Sequence, residues 1–185
     1  MKKILSILLL YIIFMTGCNT KILFNTPTKK VEMFFSKYQS LDEDVVKQLE
    51  EVSSSEMIFN EEQKKQYIDI MKKHYKDIKY DVKDEKIDGS TATVTVEIDV
   101  KDYSKIMEEA DTYLEEHPSE FEKDGEYNES LFTDYRLKKL KEAKDRVKYT
   151  VELTLTKIDD EWVLDDIDSV TEKKNTRNLR LPIRR

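Results

Sequence analysis

At Ile78 the hydrophobic period of this chain changes from 3.6 residues to 2, and that change sets the fold class. Upstream, Val31, Phe34, Phe35 and Tyr38 recur on one helical face, and Leu41, Val45, Val46, Leu49 and Val52 do so again. Tyr67, Ile68, Met71, His74 and Tyr75 make a third stripe. Two starts are marked by capping chemistry: Thr26 before Pro27, and Asn60 with Gln63 three residues on. The run Ser53-Ser54-Ser55 is expected to end the second helix, because short hydroxyl side chains compete for the backbone.

Downstream the residues alternate. Ile78, Tyr80 and Val82 share one face; after Asp88-Gly89, a hairpin signal, Ala92, Val94, Val96, Ile98 and Val100 share another. A second hairpin is expected from Val147, Tyr149, Val151, Leu153 and Leu155, turning at Asp159-Asp160-Glu161 into Trp162, Leu164 and Ile167, where a bulge is expected. Between the hairpins the period returns to helical over Tyr103–Leu114, ends at His117-Pro118, and resumes from about Ser130; Phe121–Asn128 reads as polar loop. The expectation is α+β: N-terminal helices packed on a curved antiparallel sheet, with a helical insertion (103–146) between two hairpins.

The N-terminus speaks to location. Lys2-Lys3 precede an apolar run, Ile4 to Phe14, too short to span a bilayer, and Met15-Thr16-Gly17-Cys18 follows. These four residues resemble a bacterial lipobox, although Met15 stands where leucine is usual. That resemblance implies a lipoprotein signal peptide over 1–17, cleavage before Cys18, and a diacylglycerol on its thiol with acyl chains such as palmitate. Two chains suffice for stable anchoring. Residues 18–25 then form the lipidated cysteine and a short linker, 26–170 a single domain, and 171–185 a basic tail. Asn19 to Thr26 reach at most about 28 Å. The domain is therefore expected close to the membrane, on its extracytoplasmic face.

Composition narrows the chemistry. The net charge of -7, more negative once Lys2 and Lys3 are removed, argues against a nucleic-acid partner. Cys18 is the one cysteine, so with it lipidated no thiol is left for a disulfide, a metal or catalysis. Three glycines leave no phosphate-cradling loop, and no serine lies in a G-x-S-x-G elbow. Of the two histidines, His74 lies on an apolar stripe and His117 at a helix end, where it suits the dipole. Glu120, Glu122, Asp124 and Gly125 begin like an EF-hand loop, but its twelfth position is Leu131 in place of the bidentate glutamate. No metal ligand, cofactor or catalytic residue is assigned.

The helices, the first hairpin and the closing Lys157-Ile158-Asp159-Asp160-Glu161-Trp162-Val163-Leu164-Asp165 resemble Gram-positive lipoproteins with a cystatin-like, NTF2-like domain. The start Thr26-Pro27-Thr28-Lys29-Lys30-Val31-Glu32-Met33-Phe34-Phe35 is similar to their first helix. The resemblance implies a cone that sometimes holds a ligand, and no particular reaction. A non-enzymatic binding module at the cell envelope is the first expectation, with an envelope protein as partner. The alternative is a small molecule, or a reaction, in that cone, with Tyr75, Tyr80, Tyr149 and His74 as the candidate pocket.

Overall fold

The computed structural model of the protein describes residues 25–55 and 59–166. Cys18, the leader, Ile167 and the basic tail lie outside the described residues.

Helix α1 (Pro27–Ser40) starts where its cap chemistry places it. Thr26 is extended, and its hydroxyl accepts the Lys29 N–H at 3.1 Å. The helix stops at Leu41, whose φ of 55° lets its N–H turn back to the last-turn carbonyls. Helix α2 (Glu43–Ser55) carries Val45 and Leu49 into the core. Helix α2 ends at Ser55, within the serine run expected to end it, although Ser53 itself is helical. Ser53 is buried inside the last turn, and its hydroxyl donates to the Glu50 carbonyl at 2.9 Å, which keeps it helical. Helix α3 (Glu61–Lys76) opens with the expected capping box: Asn60 accepts from the Gln63 N–H, and Gln63 accepts from the Asn60 N–H, each at 3.0 Å.

Strands β1 (Lys79–Asp88) and β2 (Thr91–Lys101) form the first hairpin through Gly89-Ser90, with Gly89 at φ 58°, a conformation glycine takes without cost. Strands β5 (Arg146–Ile158) and β6 (Glu161–Leu164) form the second, turning on Asp159 and Asp160, both at positive φ. The antiparallel sheet has the order β1-β2-β5-β6. Tyr80, Ile98 and Tyr149 lie in one row across it; Val82, Val96 and Val151 form the next. The opposite face carries Thr91, Thr93 and Thr95 against Thr156, Thr154 and Glu152.

The bulge falls in β1, between Val82 and Asp84. Over its described residues β6 keeps regular register, with Trp162 and Leu164 alternating as read. Lys83 is the extra residue, and it reverses the facing of everything after it. Odd-numbered residues before it point away from the helices; beyond it Glu85 pairs with Val94 on the helix side.

The insertion comprises α4 (Tyr103–Glu116), a 3-10 turn (Pro118–Phe121), strands β3 (Glu122–Lys123) and β4 (Glu126–Tyr127), and α5 (Glu129–Glu142). Residues 121–128 are thus a small hairpin and not a plain loop: Asp124 and Gly125, both at positive φ, make its turn, and Phe121 is buried. Helix α1 lies across the sheet against β1, β2 and β6, α3 packs on α1, α2 and α5, and α4 packs on α5. One core joins these layers, and Ala110, Phe121 and Phe132 form a second, smaller one inside the insertion. Burying side chains such as Val31 and Phe35 of α1 contributes about 1.5–3 kcal/mol each. Among the described residues no helix is long and apolar enough to cross a membrane.

Candidate functional site

The structure places the four residues of the candidate pocket in two groups. Tyr80 and Tyr149 lie on the helix-facing side of the sheet, on either side of Ile98, and both are half-buried. The Tyr80 ring is stacked on Phe35 of α1, with centroids 4.6 Å apart, so α1 covers that part of the sheet. His74 and Tyr75 sit in the last turns of α3 and are buried. The Tyr75 ring meets Tyr38 edge-on at 5.3 Å, and the His74 ring stacks on Tyr103 at 4.6 Å.

Successive residues of a helix point about 100° apart, which is why His74 and Tyr75 face different neighbours. Tyr75 faces α1; His74 faces the start of α4. Both carry polar atoms that their surroundings do not satisfy. Neither ring nitrogen of His74 nor the Tyr75 hydroxyl has a hydrogen-bond partner in the structure. Such buried groups are uncommon and each calls for a physical account.

Electrostatics follows burial. Desolvation above all, with Lys101 and Arg146 adding to it and Asp77 opposing, brings the His74 imidazole down to about 4. Burial raises the phenols as well: Tyr38 and Tyr103 to about 12, Tyr75 further, and Tyr80 and Tyr149 in the same direction. At neutral pH the site therefore holds a neutral imidazole and neutral hydroxyls. These groups can donate and accept hydrogen bonds; they are not poised to carry charge. A general base needs an orienting partner, and no carboxylate is bonded to His74.

Beside His74 lies a charged knot that the sequence did not reveal. Arg146, first residue of β5, pairs with the carboxylates of Asp77 and Asp99; its Nε reaches Asp99 Oδ1 at 2.6 Å. It also donates to the main-chain carbonyls of Asp77 at 3.1 Å and Asp99 at 2.8 Å. It ties the α3–β1 corner to the ends of β2 and β5. The two legs of the insertion meet at the same place, where the Asp102 N–H donates to the Asp145 carbonyl at 2.9 Å. Tyr103 and Tyr38 complete the aromatic surroundings. Their helical spacing marked both as core residues, while the Arg146 clamp has no local signature, its partners being 69 and 47 residues away.

His117 ends α4 as read, donating its backbone N–H to the Tyr113 carbonyl, with its ring 4.3 Å from that of Tyr113. The Glu120 carboxylate accepts the Tyr113 hydroxyl at 3.0 Å. Among the described residues no group of three or more His, Cys, Asp or Glu side chains is placed to hold a metal ion.

Neither a protein-family model nor a curated protein matches the chain. A solved structure, that of "a putative lipoprotein (ycdA)" from Bacillus subtilis, is similar in outline, with a TM-score of 0.42 and 17% identity. The likeness covers 65% of this chain and 38% of that one, so this chain spans well under half of that protein's length. At that score and identity it carries no argument about family or function.

Proposed function

We propose that this protein is a lipid-anchored domain on the extracytoplasmic face of the cell membrane, acting as a binding module and not as an enzyme. The observation that carries the location is Met15-Thr16-Gly17-Cys18 behind a short apolar leader. Cys18→Ser tests it: the variant should move from the membrane to the soluble fraction and lose incorporated fatty acid. Retention in the membrane with unchanged labelling would overturn the anchor.

The binding role is supported by the chemistry of the buried groups. His74, the histidine nearest to a candidate site, is neutral and lacks an orienting acid. The cystatin-like, NTF2-like assignment is part of the same reading. Its support is α1 lying across one face of a four-stranded antiparallel sheet built from two hairpins. An envelope protein is the partner proposed. Crosslinking in intact membranes, followed by identification of what is captured, should recover the same partner repeatedly; random recovery would count against it.

A small-molecule ligand is the second reading, and the unpartnered Tyr75 hydroxyl favours it. A ligand bonded there would raise the melting temperature of the protein and lose that effect in Tyr75→Phe. No shift across a chemically broad ligand set would sink this reading.

A further inference from the structure

His74 sits where the core meets the root of the insertion. Tyr103 is the first residue of α4, Asp102 caps that helix through the Lys105 N–H at 3.1 Å, and Asp102 and Asp145 join the two legs. The stack of the His74 ring on Tyr103 is the aromatic contact between α3 and this root. We infer that the stack is an acid-sensitive latch: protonation of His74 releases the first turn of α4, and with it one leg of the insertion, from the core.

The argument rests on what surrounds the ring. His74 is 1% exposed, and both nitrogens lack partners. Imidazolium would bring two N–H donors into a space with no acceptor. Lys101 at the end of β2 and Arg146 at the start of β5 both repel the new charge; Asp77, the one group that attracts it, is already paired with Arg146. Tyr103 and Tyr75 supply neutral rings, and the residues that α5 and its C-terminal cap give to the shared core, Leu137, Leu140 and Ala143, carry no charge. Attraction of a cation to the Tyr103 face is a weaker effect than burying an unpaired charge. The contact that gives way is the one between helix and insertion root, because moving Tyr103 opens a route to water without breaking the sheet.

The sign follows from linkage. The packed imidazole takes up its proton near 4 and a released one near its ordinary 6.5, so the open form gains as pH falls below about 6.5. Under the extracytoplasmic placement proposed above, the pH it meets is that of the surroundings; the test below does not depend on that placement.

The experiment is amide hydrogen exchange on the full chain in detergent, at pH 8 and pH 5.5, each at several low denaturant concentrations. Amides in the first turns of α4 should exchange through an opening that hardly depends on denaturant and is about tenfold more populated at pH 5.5. His74→Phe keeps an aromatic ring against Tyr103 and should abolish the pH effect. The same pH effect in His74→Phe would overturn the latch, as would α4 amides that open only with the sheet, at the sheet's denaturant dependence. If His74→Phe fails to fold, titration of the two histidines by NMR decides, with His117→Gln assigning them. A His74 resonance that titrates near 6.5 while α4 stays protected would equally overturn it.

Discussion

The Thr28 N–H in the first turn of α1 donates to Glu85 Oε2 in β1 at 2.8 Å, across 57 residues of sequence. The contact exists because of the bulge at Lys83, which turns Glu85 from the threonine-bearing face of the sheet to the helix side. There a carboxylate meets unpaired N–H groups and the positive end of the helix dipole. Glu85→Ala should lower stability by about 1 kcal/mol, read by denaturant unfolding, and Glu85→Gln should recover part of it. An unchanged midpoint in Glu85→Ala would mean that the bond is not formed in solution.

Removal of Lys83 is the complementary change. Val82 pairs with Val96, and Asp84 with Thr95, so deleting Lys83 closes the strand into regular register and leaves Glu85 on the helix side. The ion pairs of Lys83 with Asp81 and Glu97 are exposed and contribute little. The deletion should cost less than about 1 kcal/mol. Deletion of Asp81, before the bulge, should cost several times more, because closing the register then turns Val82 outward and puts Lys83 on the helix side opposite Val96. Comparable melting temperatures for the two deletions would refute the register.

Gln63 has a second role beyond the capping box. Its side chain is buried and its amide donates to the Ser130 carbonyl, the Ser130 hydroxyl and Asp134 Oδ1, at 2.8–3.0 Å, joining α3 to the insertion. Asn60→Ala should cost about 1 kcal/mol, as an ordinary cap does. Gln63→Ala should cost about 2–3 kcal/mol, since it removes a buried side chain and its bonds to α5 together with its half of the capping box. Equal losses would show that the interhelical bonds contribute nothing.

What the sequence made legible was whatever depends on neighbours in the chain. Thr26-Pro27, Asn60 with Gln63, Gly89 and the alternation of β2 and β5 each act within a few residues, and all are found where they were read. Lys83 was missed because a bulge is decided by the register of two strands, and Ile78, Tyr80 and Val82 alternate perfectly before it. The hairpin at Glu122–Tyr127 was missed because strands of two residues leave no period to detect. In the candidate site the spacing put His74 and Tyr75 on one stripe, and both are buried. That they turn to different neighbours, and that Arg146 stands beside them, is set by how α1, α4 and β5 arrive from distant sequence.

Arg146 is where stability and the state of His74 meet. Removing it leaves Asp77 and Asp99 without their cation and frees two main-chain carbonyls of their donor. Arg146→Ala should therefore destabilise the protein by about 2–3 kcal/mol, and Arg146→Lys should restore less than half, because an ammonium cannot address both carboxylates and both carbonyls. The same change acts on His74 with a definite sign. Burial remains, but a repelling cation is lost and Asp77 no longer has a competitor, so the imidazolium is disfavoured less. In Arg146→Ala the His74 resonance should titrate at higher pH than in the parent protein, and the pH at which stability begins to fall should stay near 6.5, the value of the unfolded chain. A downward displacement of the His74 titration would mean that Asp77 does not face the ring, and that the charged knot and the histidine are independent.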